Sequence, residues 1–372
     1  MTIISWKKRF LIILMGFLLL FPLVIGFINY PKMKNTAVLN RVANYTMKEM
    51  DFSFGTWGKG IMMEGLLHAY NLTNDNTYLD FVKYWTDQSI RTQTQNGVFT
   101  HGETTVGDAT AIGISVLYFY ELTNDSYYLD AAVRNMEFLL MKPPITSEGG
   151  ISHRMSSLEL WIDTVHMICP FLARLGIILE NDTIVDEAVN QIFIHDKYLR
   201  DNNTGLYSHI WNHDPSGPND PFIWSRGIGW MTTAIVELLE IIPPSHPNRT
   251  GLISLLKNCI PKISALQDSE TGLWHTIMND SSTGLETSCA ELFAYSIALS
   301  VERGWIQDNG NKSVAINAYN GVINKVDDYG VVIGVSGGTG WDSYGAPIYQ
   351  RAISWGQGLF IKMYRLFEEL GW

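Results

Sequence analysis

The chain has 372 residues, of which 46% are hydrophobic and only 17% charged, enough apolar material for a large buried core. A net charge of −11 argues against a nucleic-acid partner, which needs a basic patch, yet it leaves room for an acidic sugar, since one local arginine can hold one carboxylate. Three cysteines without CxxC spacing give neither a disulfide framework nor a structural zinc site.

The first element is a targeting segment. Lys7, Lys8 and Arg9 precede an apolar run over residues 10–28, about long enough to span a bilayer. The basic flank lies before the run, which places the following chain outside the cytoplasm. No small-x-small cleavage site is visible, so a retained signal anchor is expected over a cleaved signal peptide. Residues 1–36 then form a cytoplasmic stub, the membrane-spanning anchor and a short linker, and residues 37–372 one globular domain. N-x-S/T sequons beginning at Asn44, Asn71, Asn124, Asn181, Asn202, Asn248, Asn279 and Asn311 agree with that placement.

An internal repeat follows. Residues 70–80 read YNLTNDNTYLD and residues 120–130 read YELTNDSYYLD, 50 residues on. Each copy ends one helix, turns at Thr-Asn-Asp and starts the next, the mark of a helical-hairpin array. Apolar periodicity predicts helices over 37–49, 56–72, 76–95, 105–123, 126–141, 161–178, 182–199, 227–241, 250–266, 287–303, 312–326 and 354–370. Six such hairpins can close into an all-α (α/α) barrel; an open solenoid is the alternative. The Gly/Pro/Asp-rich stretches 143–153, 201–224 and 330–350 are loops, where a cleft would be built.

Candidate chemistry clusters at helix starts. Asp163, in WIDTVHMICPFL, and Asp108, in GDATAIGISVLYFY, each open an apolar helix. Either could be a helix cap; together at one end of a ring they would form a carboxylate pair of the kind glycoside cleavage uses. His209 and His213 lie in the loop LYSHIWNHD. The stretch WSRGIGW places Arg226 between Trp224 and Trp230, as an exposed cation between aromatic faces or as a structural stack. His275 and Glu286 sit at another loop-to-helix junction. Trp57, and Trp341 at the end of GVSGGTGW, are further flat faces for a sugar. GGTG is no phosphate loop, because the following Lys-Ser/Thr is missing.

Three motifs in order carry a family resemblance. These are Asp163-Thr164 with Met167 and Pro170-Phe171-Leu172; Trp-x-Arg-Gly-x-Gly-Trp over 224–230; and Gly272 to His275 followed by Glu286-Thr287-Ser288. Over residues 57–355 the chain resembles the unsaturated rhamnogalacturonyl hydrolases, and more distantly the unsaturated glucuronyl hydrolases. The resemblance implies a six-hairpin (α/α) barrel and a hydrolase without metal or cofactor. It implies a substrate ending in an unsaturated uronic acid, whose carbon 4–carbon 5 double bond is hydrated to a hemiketal that opens and expels the aglycone. It assigns Asp163 as acid/base, Asp108 as second carboxylate, and His209, Trp224, Arg226 and Trp230 to the sugar site. Arg226 or a neighbour is expected to hold the substrate carboxylate, with Trp224 and Trp230 as walls. The apolar setting of Asp163, with Asp108 near, is expected to raise its pKa. Ile228 stands where the family often has Asn, which leaves the exact sugar open. A toroidal polysaccharide lyase using Tyr207 with Arg226, and a non-catalytic sugar-binding relative, are the other two classes.

Overall fold

The repeated Thr-Asn-Asp is a pair of helix junctions with a physical cause for each residue. Asn74 and Asn124 adopt left-handed backbone, φ 57° and 55°, which asparagine tolerates better than most residues and which ends the preceding helix. Asp75 and Asp125 then cap the next helix, each carboxylate accepting a 2.9 Å hydrogen bond from the backbone N–H two residues on. Tyr78 and Tyr128, one turn later, are buried and anchor the new helix: the Tyr78 hydroxyl donates to Asn40 and that of Tyr128 to Asp87.

The computed structural model describes residues 35–51, 57–99, 105–214, 222–338 and 347–372. Residues 36–372 cluster as one unit. The helices are α1 (Ala37–Glu49), α2 (Trp57–Thr73), α3 (Asn76–Arg91), α4 (Val106–Thr110), α5 (Gly113–Thr123), α6 (Ser126–Met141), α7 (Ile162–Ile178), α8 (Asp182–Leu199), α9 (Ser225–Ile241), α10 (Arg249–Ala265), α11 (Thr287–Glu302), α12 (Asn311–Ile323) and α13 (Ser354–Leu370). Helices α2, α5, α7, α9, α11 and α13 pack each on the next, and α13 returns to α2, so the ring closes. Helices α7, α9 and α11 are buried on nearly every side, as inner staves must be, whereas α1, α3, α6, α8, α10 and α12 bury one face against the ring. The closing seam is backbone against backbone: a Cβ on Gly65 would lie 2.6 Å from Gly358.

The expected helix 105–123 is two. Its chain breaks at residues 111–112, where the Ala111 carbonyl presses into α2 at Gly60; a Cβ there would sit 2.0 Å from it. Three short antiparallel ladders lie between the helices, only β2, β5 and β6 of them within the stretches read as loops: β1 (Glu159–Trp161) with β2 (Ile210–Asn212), β3 (Trp274–His275) with β4 (Leu285–Glu286), and β5 (Val335–Ser336) with β6 (Ile348–Tyr349). β1 runs straight into α7 and β4 straight into α11, so these ladders fix the N-terminal ends of inner helices. The anchor expected in residues 1–36 falls almost wholly on residues 1–34, outside the described ones; among the described residues no helix is long and apolar enough to cross a membrane.

Candidate active site

Asp163 does not cap its helix. Trp161 holds the N-cap position of α7, and Asp163 is the second helical residue. Its carboxylate is engaged instead by a histidine from another loop. The β1–β2 register sets Trp161 opposite Ile210, and the N–H of Ile162 donates to the carbonyl of His209 at 3.0 Å. That places the His209 Nε2 2.9 Å from Asp163 Oδ2. The imidazole is fully buried between Trp161 and Trp224, ring centres at 5.1 and 4.4 Å, while the Asp163 side chain keeps 17% of its surface open.

Asp108 belongs to a capping box on α4. Thr105 is the cap, its hydroxyl accepting from the Asp108 N–H and donating to Asp108 Oδ2 at 2.9 Å. The other oxygen, Oδ1, accepts from the backbone N–H of Trp57 at 2.9 Å, fixing the start of α2 beside it. The two aspartates face one cavity of about 190 Å³ at the N-terminal mouth of the ring. Trp57, Trp161, Trp224 and Met167 supply its apolar surface, and His153, Arg154 and Arg226 its basic side chains.

His153 and Arg154 were not expected here. His153 stacks flat on Trp161, 4.4 Å apart and 11° off parallel, with Nδ1 3.0 Å from the Thr164 hydroxyl. Arg154 lies over the same indole at 5.0 Å, its Nε 3.8 Å from Glu159, and Glu159 in turn is held by the Trp161 indole N–H at 2.8 Å. The one sequence signal was a His-Arg pair ten residues before Asp163, inside a stretch read only as loop. What brings it to the site is pairing of Thr105 with Arg154 and hydrogen bonding of His153 with Glu159, both invisible to periodicity.

Several expected roles change. Arg226 is not an exposed clamp: it is 1% exposed. Its Nη1 donates to the Ser336 carbonyl at 2.8 Å, the Ser336 hydroxyl at 2.5 Å and the Ser288 hydroxyl at 3.2 Å, and its Nη2 to the Gly337 carbonyl at 2.7 Å. With Trp224 at 4.4 Å and Trp355 at 5.3 Å over its plane, Arg226 is a strut whose flank touches the cavity. Trp230 is no wall of the cavity; it is fully buried, edge-on to Trp57 and against His166. Trp57 does line the cavity, stacked on Trp355 at 4.4 Å. Trp341 lies outside the described residues. Glu286 caps α11, accepting from the N–H groups of Ser288 and Cys289, and the Tyr207 hydroxyl is tied to Asp196 and Arg200; neither lines the cavity. His213 and His275 also lie off it.

The charge state of Asp163 is the reverse of the expectation. Burial pushes its pKa up, but the His209 imidazole, by charge and by hydrogen bond, outweighs that, helped by His153 and Arg226, and the carboxyl falls below its ordinary value. Asp108 is not among the leading influences. Burial lowers His153 to about 4, so it is neutral at neutral pH. No group of three or more His, Cys, Asp or Glu among the described residues could hold a metal ion.

The sequence pattern of Glycosyl Hydrolase Family 88 matches residues 31–367, nearly the whole chain. The chain belongs to glycosyl hydrolase family 88. It is therefore a glycoside hydrolase. The chain is 29% identical over 342 residues to the unsaturated rhamnogalacturonyl hydrolase YesR of Bacillus subtilis, covering 88% of this chain and 92% of that protein. It is 23% identical over 327 residues to an unsaturated 3S-rhamnoglycuronyl hydrolase of Formosa agariphila, covering 80% and 82%. Among solved structures, one described as a possible member of the GH105 family from Salmonella enterica superposes with a TM-score of 0.81 at 25% identity, over 91% of this chain and 94% of that one.

Proposed function

We propose that this hydrolase removes an unsaturated uronic acid from the non-reducing end of lyase-cut oligosaccharides such as those of rhamnogalacturonan, by hydrating the carbon 4–carbon 5 double bond. The observation that carries the reading is Asp163, held 2.9 Å from the buried His209 and facing a cavity of about 190 Å³ walled by Trp57, Trp161 and Trp224. The similarity to YesR, named for unsaturated rhamnogalacturonyl hydrolysis, points to the same terminal sugar.

The residues divide the work as follows. Arg154, braced by Glu159 and Trp161 at the cavity, takes the substrate carboxylate, because the guanidinium of Arg226 is already spent on Ser336 and Gly337. In the resting protein Asp163 is a carboxylate paired with His209. The arriving substrate carboxylate adds like charge and expels water, which raises the proton affinity of Asp163, so that it takes up a proton as the substrate binds. Asp163 then delivers that proton to carbon 4. As a carboxylate again, it takes a proton from the water that attacks carbon 5. The resulting hemiketal opens and the aglycone leaves. Asp108 holds the Trp57 backbone, and so the indole that walls the sugar.

A lyase would raise the absorbance of the conjugated double bond, a sugar-binding protein would leave it unchanged, and this reaction lowers it. Tyr207, the base a lyase would want, is locked to Asp196 and Arg200 away from the cavity, which favours hydration. The basic Lys7–Lys8–Arg9 before the apolar run 10–28 supports a further reading, that the catalytic domain works outside the cytoplasm, tethered through its N-terminal segment. Loss of a mass shift on deglycosylation after expression in a eukaryotic host would count against that placement.

A further inference from the structure

The barrel has a second mouth. The N-terminal turns of the inner helices supply the Asp163 cavity, and their later turns line another, of about 420 Å³. All six inner helices reach it, through residues such as Glu64, Tyr118, Arg174, Glu237, Tyr295 and Lys362. The two mouths are electrically unlike. Helix N-termini carry partial positive charge and C-termini partial negative charge, so the first mouth favours an anion and the second a cation.

The side chains at the second mouth reinforce that polarity. Lys362, 4% exposed, has its ammonium 2.8 Å from Glu64 and ion-paired also to Glu237. One ammonium thus serves two carboxylates. The surrounding pairs, Arg174 with Glu121, Arg303 with Glu240 and Arg365 with Glu369, are one to one, so the acids exceed the bases by one. Burial, with Glu64 alongside, pushes the Glu237 carboxyl up to about 7 against the pull of Lys362. The neighbouring groups do not titrate there. Burial lowers His68 to about 4 and His166 to about 3, and raises Tyr295 well up; Glu64 is held low by Lys362 and His68, and the two carboxylates hold Lys362 high, both against the effect of burial. The walls are apolar and aromatic, from Leu67, Ile114, Ile241, Tyr118 and Tyr295, and among the described residues nothing hydrogen-bonds the Tyr295 hydroxyl.

We infer that this second mouth binds a small organic cation, an alkylammonium or guanidinium ion, with its charged head against Glu237 and its alkyl part along Tyr118, Tyr295 and Ile241. The excess carboxylate supplies a charge-assisted hydrogen bond, and Tyr118, Ile241 and Tyr295, whose ring also carries the Lys362 ammonium at 5.2 Å, supply apolar contact for the alkyl part. The cation takes the place of the proton that Glu237 otherwise keeps near neutral pH, so binding releases a fraction of a proton.

Isothermal titration of the full chain with n-butylammonium chloride, with n-butanol as the uncharged control, tests this. Saturable one-to-one binding of the amine but not the alcohol is expected, with a heat that changes with the ionisation enthalpy of the buffer. Glu237→Gln, which leaves Lys362 paired with Glu64, should weaken binding roughly tenfold or more, the loss of one charge-assisted contact. Ile241→Trp, which fills the cavity from its wall, should abolish it, and Asp163→Asn should leave it unchanged. No saturable binding by the wild-type protein overturns the inference. So does equal binding by a folded Glu237→Gln or Ile241→Trp variant, or loss of binding in Asp163→Asn, which would move the amine to the other mouth.

Discussion

Replacing Arg226 by alanine separates a strut from a substrate clamp. In the structure its guanidinium makes four hydrogen bonds, two of them to the backbone carbonyls of Ser336 and Gly337, and lies under the indoles of Trp224 and Trp355. Removing it orphans those carbonyls, opens a void between two tryptophans, and takes away a cation that interacts with the Glu286 carboxylate. Breaking a buried charged network of this kind costs about 3–5 kcal/mol. At about 2 °C per kcal/mol for a chain of this size, the melting temperature should fall by roughly 6–10 °C. Differential scanning calorimetry of Arg226→Ala and Arg226→Lys measures this. The lysine keeps the charge but not the fork, so it should fall between alanine and wild type. If Arg226→Ala melted with the wild type and lost only substrate affinity, the guanidinium would be a ligand for the uronate carboxylate and the strut assignment would be wrong.

Arg154→Ala should behave oppositely, with a melting temperature near wild type and a KM raised roughly tenfold to a hundredfold, as for loss of one charge-assisted contact; an unchanged KM would remove Arg154 from the substrate. His209→Gln takes away the main group that depresses Asp163, so the carboxyl pKa rises. Activity needs the acid form and is lost as pH rises through that pKa, so the alkaline limb of the kcat profile should move to higher pH while kcat falls; a limb that stays in place would uncouple His209 from the acid. Asp108→Asn retains an acceptor for the Trp57 N–H, whereas Asp108→Ala does not, so steady-state kinetics should show the alanine variant with the greater loss in kcat/KM. Gly65→Ala pushes a methyl against Gly358 at the closing seam and should cost about 1–3 kcal/mol in chemical denaturation; an unchanged midpoint would mean the seam is looser than the backbone contact indicates.

The helical ring was legible because its information is local. The Thr-Asn-Asp repeat names its own caps, and the apolar periodicity of the inner helices survives in each segment. Asp163 and His209 were legible as residue types in motifs, but not as a pair, since 46 residues separate them and only the β1–β2 register joins them. The same gap explains the wrong sign for the Asp163 pKa: the apolar neighbours are local and visible, the opposing imidazole is not. Arg226 looked exposed because its partners at Ser336 and Gly337 lie 110 and 111 residues on, in a stretch that reads as a glycine-rich turn. Arg154 was missed for the same reason from the other side, since its segment carries no periodicity and reaches the cavity through pairing with Thr105 and the hydrogen bonding of His153 with Glu159. The break at residues 111–112 is set by Gly60 on another helix, and nothing within 105–123 announces it.

The role proposed for Asp163 is that of acid/base in hydrating the double bond of an unsaturated uronate. It is tested most directly by following the ultraviolet absorbance of an unsaturated rhamnogalacturonan disaccharide with the wild-type protein and with Asp163→Asn. The absorbance should disappear with the wild type, and roughly a hundredfold or more slowly with the folded variant, the scale of a general acid/base contribution. An absorbance that rises or stays constant with the wild type, or a folded Asp163→Asn protein that consumes the double bond at a near-normal rate, would contradict it.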